Sequence, residues 1–215
     1  MASWSDLLER ADARYRDGKR RLPDEPDARQ RQLTRMGNAA GAAGLSSLMA
    51  GRDGDEWFSR AAERYRESWE HAPPGSWGRP IGAIKARILA DDWDGAAADA
   101  RWALELGAAE SDSPIGRYAA ALAFLVLDRW DEAHVQAGDA RASDDFPGAV
   151  ADALASIAAE DMVGYVEAVE NVLESFETRT EYLEDVPVAD TVLVLQALAS
   201  RRGMAAQLES PLLPD

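Results

Sequence analysis

The residues in this chain that could do chemistry are few. Asp131-Glu132-Ala133-His134 spells a helicase box, but such a box works beside a Gly-rich phosphate loop followed by lysine, and the sequence has no such loop. His134 follows Trp130 by one helical turn, the spacing of a packed or surface histidine. Gly37, Gly41 and Gly44, with Ala40 among them, match a nucleotide loop only in composition. No strand pattern precedes them, and on a helix they form a small stripe that lets two backbones approach closely. Asp91, Asp92 and Asp94, or Asp144 and Asp145, could gather a cation or supply a general acid. The ligand spacing of a calcium loop is absent, so helix capping and a solvated negative face are their expected roles. The chain has no cysteine, which excludes thiolate nucleophiles, disulfides and cysteine-based metal sites. With His71 and His134 the only histidines, imidazole chemistry is nearly excluded as well. The expectation is a protein that is not an enzyme, with no catalytic residues, no metal and no cofactor. An enzyme with a carboxylate or divalent-metal centre is the remote alternative.

Charge narrows the partners. The formal net charge is −16, and Lys19 and Lys85 are the only lysines among 23 basic residues. The net field repels duplex nucleic acid and anionic membranes, so neither is an expected partner. An acidic, lysine-poor, alanine-rich composition is similar to that of proteins from salt-loving archaea, where salt at about 1 M shrinks the Debye length to about 3 Å and screens the self-repulsion. A halophilic protein should melt at a temperature that climbs with KCl. No stretch reaches the roughly 18 apolar residues of a membrane span, and Met1 to Asp17 alternates acids and bases instead of opening as a signal peptide. A cytoplasmic location is expected.

Any site must be positioned by helices. Alanine, leucine, glutamate and arginine dominate the periodic segments, and β-branched alternation between turns is missing. The fold class is all-α, in a single domain over residues 1–215. Capping oxygens or first-turn prolines at Asp55, Asp92, Ser113-Pro114 and Asp161 predict helix starts. Gly18, Gly107 and Pro73-Pro74-Gly75 predict stops. Residues 1–26 then read as an N-terminal helix and linker. Helices are predicted at about 28–49, 55–71, 80–90, 93–106, 114–127, 130–142, 147–159, 162–177 and 188–201. Connections as short as Ala90-Asp91-Asp92 force neighbours to lie antiparallel.

A repeat organises these helices. Asp91-Asp92-Trp93-Asp94-Gly95-Ala96 recurs as Asp128-Arg129-Trp130-Asp131-Glu132-Ala133, with echoes at Asp55-Glu56-Trp57 and Glu160-Asp161-Met162. Ala96, Ala100 and Ala103 follow Trp93 at the offsets where Ala133, Ala137 and Ala140 follow Trp130. A period near 34 with two helices per unit resembles the tetratricopeptide family. That resemblance covers residues 27–177 as about four helix pairs. It implies a right-handed superhelical stack, with Trp93 and Trp130 opening the second helix of a pair. The glycine that ends the first helix in that family is replaced here by Asp91 and Asp128; Arg60 and Tyr165 stand where alanine is expected. Val188–Leu198 is apolar on more than one face, so residues 187–215 read as a capping helix and tail closing one end of the stack.

In arrays of this kind the first helix of each pair lines a concave side. Its polar and basic residues, Arg31, Arg35, Asn38, Lys85, Arg87 and Arg117, are the candidate partner-binding groove, suited to a protein or peptide with acidic groups. Intramolecular pairing with the abundant aspartates is the competing role for them. Trp77, in the loop Pro73–Pro80, is either an interface anchor or a plug on adjacent helix ends. The expected function is non-enzymatic protein or peptide binding. Arg201-Arg202-Gly203 and Glu209–Pro214 are also similar to the C-terminus of small helical immunity proteins that accompany polymorphic toxins. This resemblance implies the alternative of a toxin-neutralising protein.

Overall fold

In the computed structural model, which describes residues 3–214, ten α-helices follow one another and no strand occurs among the described residues. They are α1 (Trp4–Arg20), α2 (Pro26–Met49), α3 (Asp55–Trp69), α4 (Gly78–Leu89), α5 (Trp93–Glu105), α6 (Pro114–Val126), α7 (Trp130–Arg141), α8 (Gly148–Ala159), α9 (Met162–Glu177) and α10 (Asp190–Ser200). Short 3-10 turns lie at Ala108–Glu110 and Leu183–Asp185. None of the helices is long and apolar enough to cross a membrane among the described residues.

The starts follow from local hydrogen bonding. The side chains of Asp92, Ser113 and Asp161 each accept the amide three residues on, at 2.9–3.1 Å, which satisfies a donor that the helix itself cannot. Asp55 departs from the expectation: it is the first residue of α3, Gly54 precedes it without a side-chain cap, and Asp53 accepts the Asp55 amide instead. Gly18 departs too, since α1 runs through it to Arg20. Its role is contact, because a Cβ there would stand 2.7 Å from Met36 Cγ and 2.6 Å from Gln32 Nε2 on α2.

Each helix from α1 to α9 packs on the next, an arrangement compatible with a helical-repeat fold. The even-numbered helices α2, α4, α6 and α8 also touch one another in order and form an inner row. The alanines of the repeat explain the close approach: Ala96, Ala100, Ala103, Ala133, Ala137 and Ala140 are all sealed from solvent. Each inner helix ends in the same way. Gly51, Asp91, Asp128 and Glu160 all take positive φ, and the following amide bonds back five residues, as in Arg52 to Ser47, Asp92 to Arg87, Arg129 to Phe124 and Asp161 to Ser156. At three of the four turns a carboxylate residue does what glycine does at the first, despite a left-handed backbone that costs roughly 1–2 kcal/mol outside glycine.

The last helix is placed differently from the expectation. Instead of closing one end of the stack, α10 lies against α4, α8 and α9. A helix apolar on more than one face needs neighbours all round, and Val192, Val194, Leu195, Leu198 and Ala199 are buried in the main core with Leu122, Leu154 and Ile157. Two arginines anchor its end. Arg201 donates to Val126 O at the end of α6, pairs with Asp128 and stacks over Trp93. Arg202 donates to Ile157 O and Ala158 O at the end of α8, pairs with Glu160 and stacks over Trp130. The turn carboxylates thus meet the arginines that satisfy the same helix ends.

Candidate binding trough

With α10 covering the C-terminal part of the inner row, a cavity of about 400 Å³ remains at its N-terminal part. The cavity is a trough between α2, α3 and α4, bounded on its other side by the connector from α9 to α10. Two packing decisions shape it. Tyr65 fills the gap between α2 and α4, since Cβ atoms at Gly37 and Gly82 would come within 2.9 Å and 2.7 Å of its ring. Phe58 does the same at Gly44. Gly41 differs: it lines the trough, and a Cβ there would meet nothing within 4 Å.

The polar groups gather in two places. Midway along, the Tyr65 hydroxyl donates to Asn38 Oδ1 at 2.8 Å, and burial pushes its phenol well above the usual range. Beside it, Lys85 Nζ meets Asp190 Oδ2 at 2.5 Å and Thr191 Oγ1 at 3.1 Å, tying α4 to the start of α10. Burial is the largest influence on the Lys85 ammonium and lowers it, but Asp190 and Tyr118 together hold the value above the ordinary one. Lys85 and Asp190 in turn act on Tyr118, where burial dominates and raises the phenol.

At the end of the trough near the start of α4 stand Thr34 and Arg79, while Arg179 lines it from the connector and acts on the Lys85 ammonium. Arg79 gives Nε to Ser68 at 2.8 Å and Nη2 to Gln30 Oε1, and Ser68 in turn bonds Thr34 at 2.7 Å. Burial without a compensating acid depresses the Arg79 guanidinium. Arg179 is exposed, lies over the Phe176 ring at 3.7 Å and bonds Ser175 O. Neither arginine pairs with a carboxylate among the described residues, although most of the chain's arginines do. The connector over the trough is held from α1, where Arg14 pairs with Glu184 at 2.7 Å and Asp185 at 3.3 Å. Those two residues take consecutive positive φ values.

Of the residues singled out in the sequence, Asn38 and Lys85 come together on the trough. Arg31 and Arg35 are exposed on α2 to either side of Thr34, with Arg31 paired to Asp27 one turn away. Arg87 turns to the outer row, bonding Asp92 at 2.9 Å and reaching Asp99 at 3.5 Å. Arg117 is held by Ala109 O, Gln136 and Asp139 between α6 and α7. Trp77 is buried in the core, its ring 5.6 Å from Trp69. Tyr65, Arg79, Arg179 and Asp190 were not singled out; the missing carboxylate neighbour of the two arginines is a long-range property with no local signature. No three acidic or histidine side chains converge on a metal position among the described residues. The helicase-like string lies on α7, where exposed His134 approaches Ala155 O at 3.3 Å.

Comparison with protein families, curated proteins and solved structures gives no match to this chain.

Proposed function

We propose that the chain is a non-catalytic binding protein of the tetratricopeptide kind, a right-handed stack of helix pairs that works in the cytoplasm and holds a protein or peptide partner on its inner side. The repeated left-handed turns, the sealed alanines at equal offsets and the inner row of alternate helices support the family reading. One observation carries the functional reading: in a chain of net charge −16, Arg79 and Arg179 line the open trough with no carboxylate partner among the described residues, and Arg35 is exposed one position after the trough-lining Thr34. Such a cluster favours a partner presenting acidic groups there.

The test is cross-linking at native salt with the wild type and an Arg35→Glu/Arg179→Glu variant, both sites being exposed and outside the core. The expected result is loss of a partner that the wild type captures. An unchanged set of cross-linked proteins would remove this reading.

A further inference from the structure

The trough is polarised along its length. From Thr34 to Leu45 along α2 it runs about 16 Å at 1.5 Å per residue, and Arg79 to Leu89 spans it in the same direction on α4. One end carries Arg79 and the start of α4, which has no side-chain cap and whose Gly78 faces open space; Arg179 lines the trough from the connector. The positive end of a helix dipole adds to the Arg79 guanidinium. The other end is apolar, with Leu45, Phe58 and Leu89 below Val186 and Val188. The titratable cations and anions on the wall are Arg79, Lys85 and Arg179 against Glu181 and Asp190, which leaves one positive charge in excess.

Donors are in excess as well. Tyr65 takes Asn38 Oδ1 and leaves the Asn38 amide NH₂ without a partner among the described residues. Lys85 commits two of its three N–H groups. Gly41 completes the picture. A mid-helix glycine costs roughly 0.5–1 kcal/mol relative to alanine, and among the described residues nothing comes within 4 Å of a Cβ placed at Gly41.

From this geometry we infer that the trough binds a small amphipathic acid: one carboxylate taken by the unpaired guanidinium groups of Arg79 and Arg179 and a single unbranched apolar chain laid toward Leu45 and Leu89. The connector, latched by Arg14, roofs the apolar end, which suits a free small molecule better than a threaded polypeptide. The inference rests on the reading of the trough as a recognition site and uses the same Arg79 and Arg179 as the protein partner proposed above, but it does not require that partner.

Calorimetric titration with sodium hexanoate, octanoate and decanoate, below the concentrations at which they self-associate, tests it. Binding should be saturable at one site, tightening roughly fourfold per added methylene. Decyl alcohol should bind about tenfold more weakly than decanoate, and Arg179→Ala should bring decanoate to the level of the alcohol. Gly41→Leu should abolish binding by filling the trough; Arg179→Ala, on the surface, gives a reading even if that variant does not fold. Absence of saturable binding, an affinity indifferent to chain length, or an alcohol that binds as tightly as the acid would overturn the inference. If decanoate fails while Arg35→Glu/Arg179→Glu still loses a cross-linked protein, the small acid is excluded and the protein partner stands. If decanoate binds and the cross-linked set does not change, the opposite holds.

Discussion

Over α6 and α8 the inner row is sealed in the main core it shares with α10, with Leu122, Leu125, Leu154, Ile157, Leu195 and Leu198 all at most 2% exposed. Over α2 and α4 the same row presents Gly41, Ala42, Gly82 and Ala86, and about 400 Å³ stays open. Both regions rest on the same turns and the same alternation of helices, so the scaffold does not decide which is filled. The volume of the inward side chains does. Where leucine and isoleucine reach inward, the chain's own last helix completes the core; where glycine and alanine stand, the connector passes over and leaves room.

The largest test of this contrast is truncation on each side. Leu195→Ala should cost about 2–5 kcal/mol in urea unfolding, because its surroundings are fully packed. Leu45→Ala, on the wall of the trough, should cost clearly less; equal losses would mean the two regions are packed alike. Next come the arginines. Arg202→Ala should cost about 1–3 kcal/mol by leaving the carbonyls of Ile157 and Ala158 without their donor. Arg179→Ala at the trough should stay within about 0.5 kcal/mol, as surface changes do.

Alkaline titration sharpens the comparison. Tyr65 in the trough and Tyr165 in the sealed region both have phenols raised by burial, and Lys85 is raised by Asp190 against its burial. Folded values above unfolded ones give a contribution that is complete below about pH 10 and is lost as the pH climbs toward the folded values, because the unfolded chain releases those protons first. Urea midpoints should therefore be level from about pH 8 to 9 and fall above about 10. Tyr65→Phe and Tyr165→Phe should each flatten part of the fall; a profile unchanged by both would show that neither phenol carries it.

The finest contrast in space separates two glycines within one helix. Gly41→Ala should raise stability by about 0.5–1 kcal/mol, since alanine is the better helix former and its methyl meets nothing. Gly44→Ala should lower it by about 1–3 kcal/mol, its methyl landing 2.6 Å from the Phe58 ring. Thermal melting of the two variants side by side would decide.

Much of the helix layout was legible in the sequence because its causes are local. Asp92, Ser113 and Asp161 act three residues away, and the expected bounds of α5 to α9 fall within a residue or so of those observed. Asn38 and Lys85 reach the trough because the inward face of a helix is a periodic property. Arg87, two positions after Lys85, lies about 200° further round the helix and faces the outer row instead. The position of α10 was not legible: its apolar faces announce burial but not against what. Its anchors join Arg201 to Asp128 and Arg202 to Glu160, far apart in the chain. Trp77 offered two roles from its loop, and only the fold shows its ring against Trp69.

The seating of Arg201 and Arg202 on two successive turns has a bearing on how the molecule is able to change. An open array tolerates the gain or loss of a unit, because each unit touches only its neighbours. Here the returning helix acts as a gauge: adjacent arginines must meet turns on α6 and α8 while Lys85, on α4, holds the same helix at its start. Deleting the α6–α7 unit would leave one arginine without its turn and the gauge too long for its frame. The number of helix pairs is thereby fixed from within, and variation is confined to the edges and to the side chains that set the size of the opening.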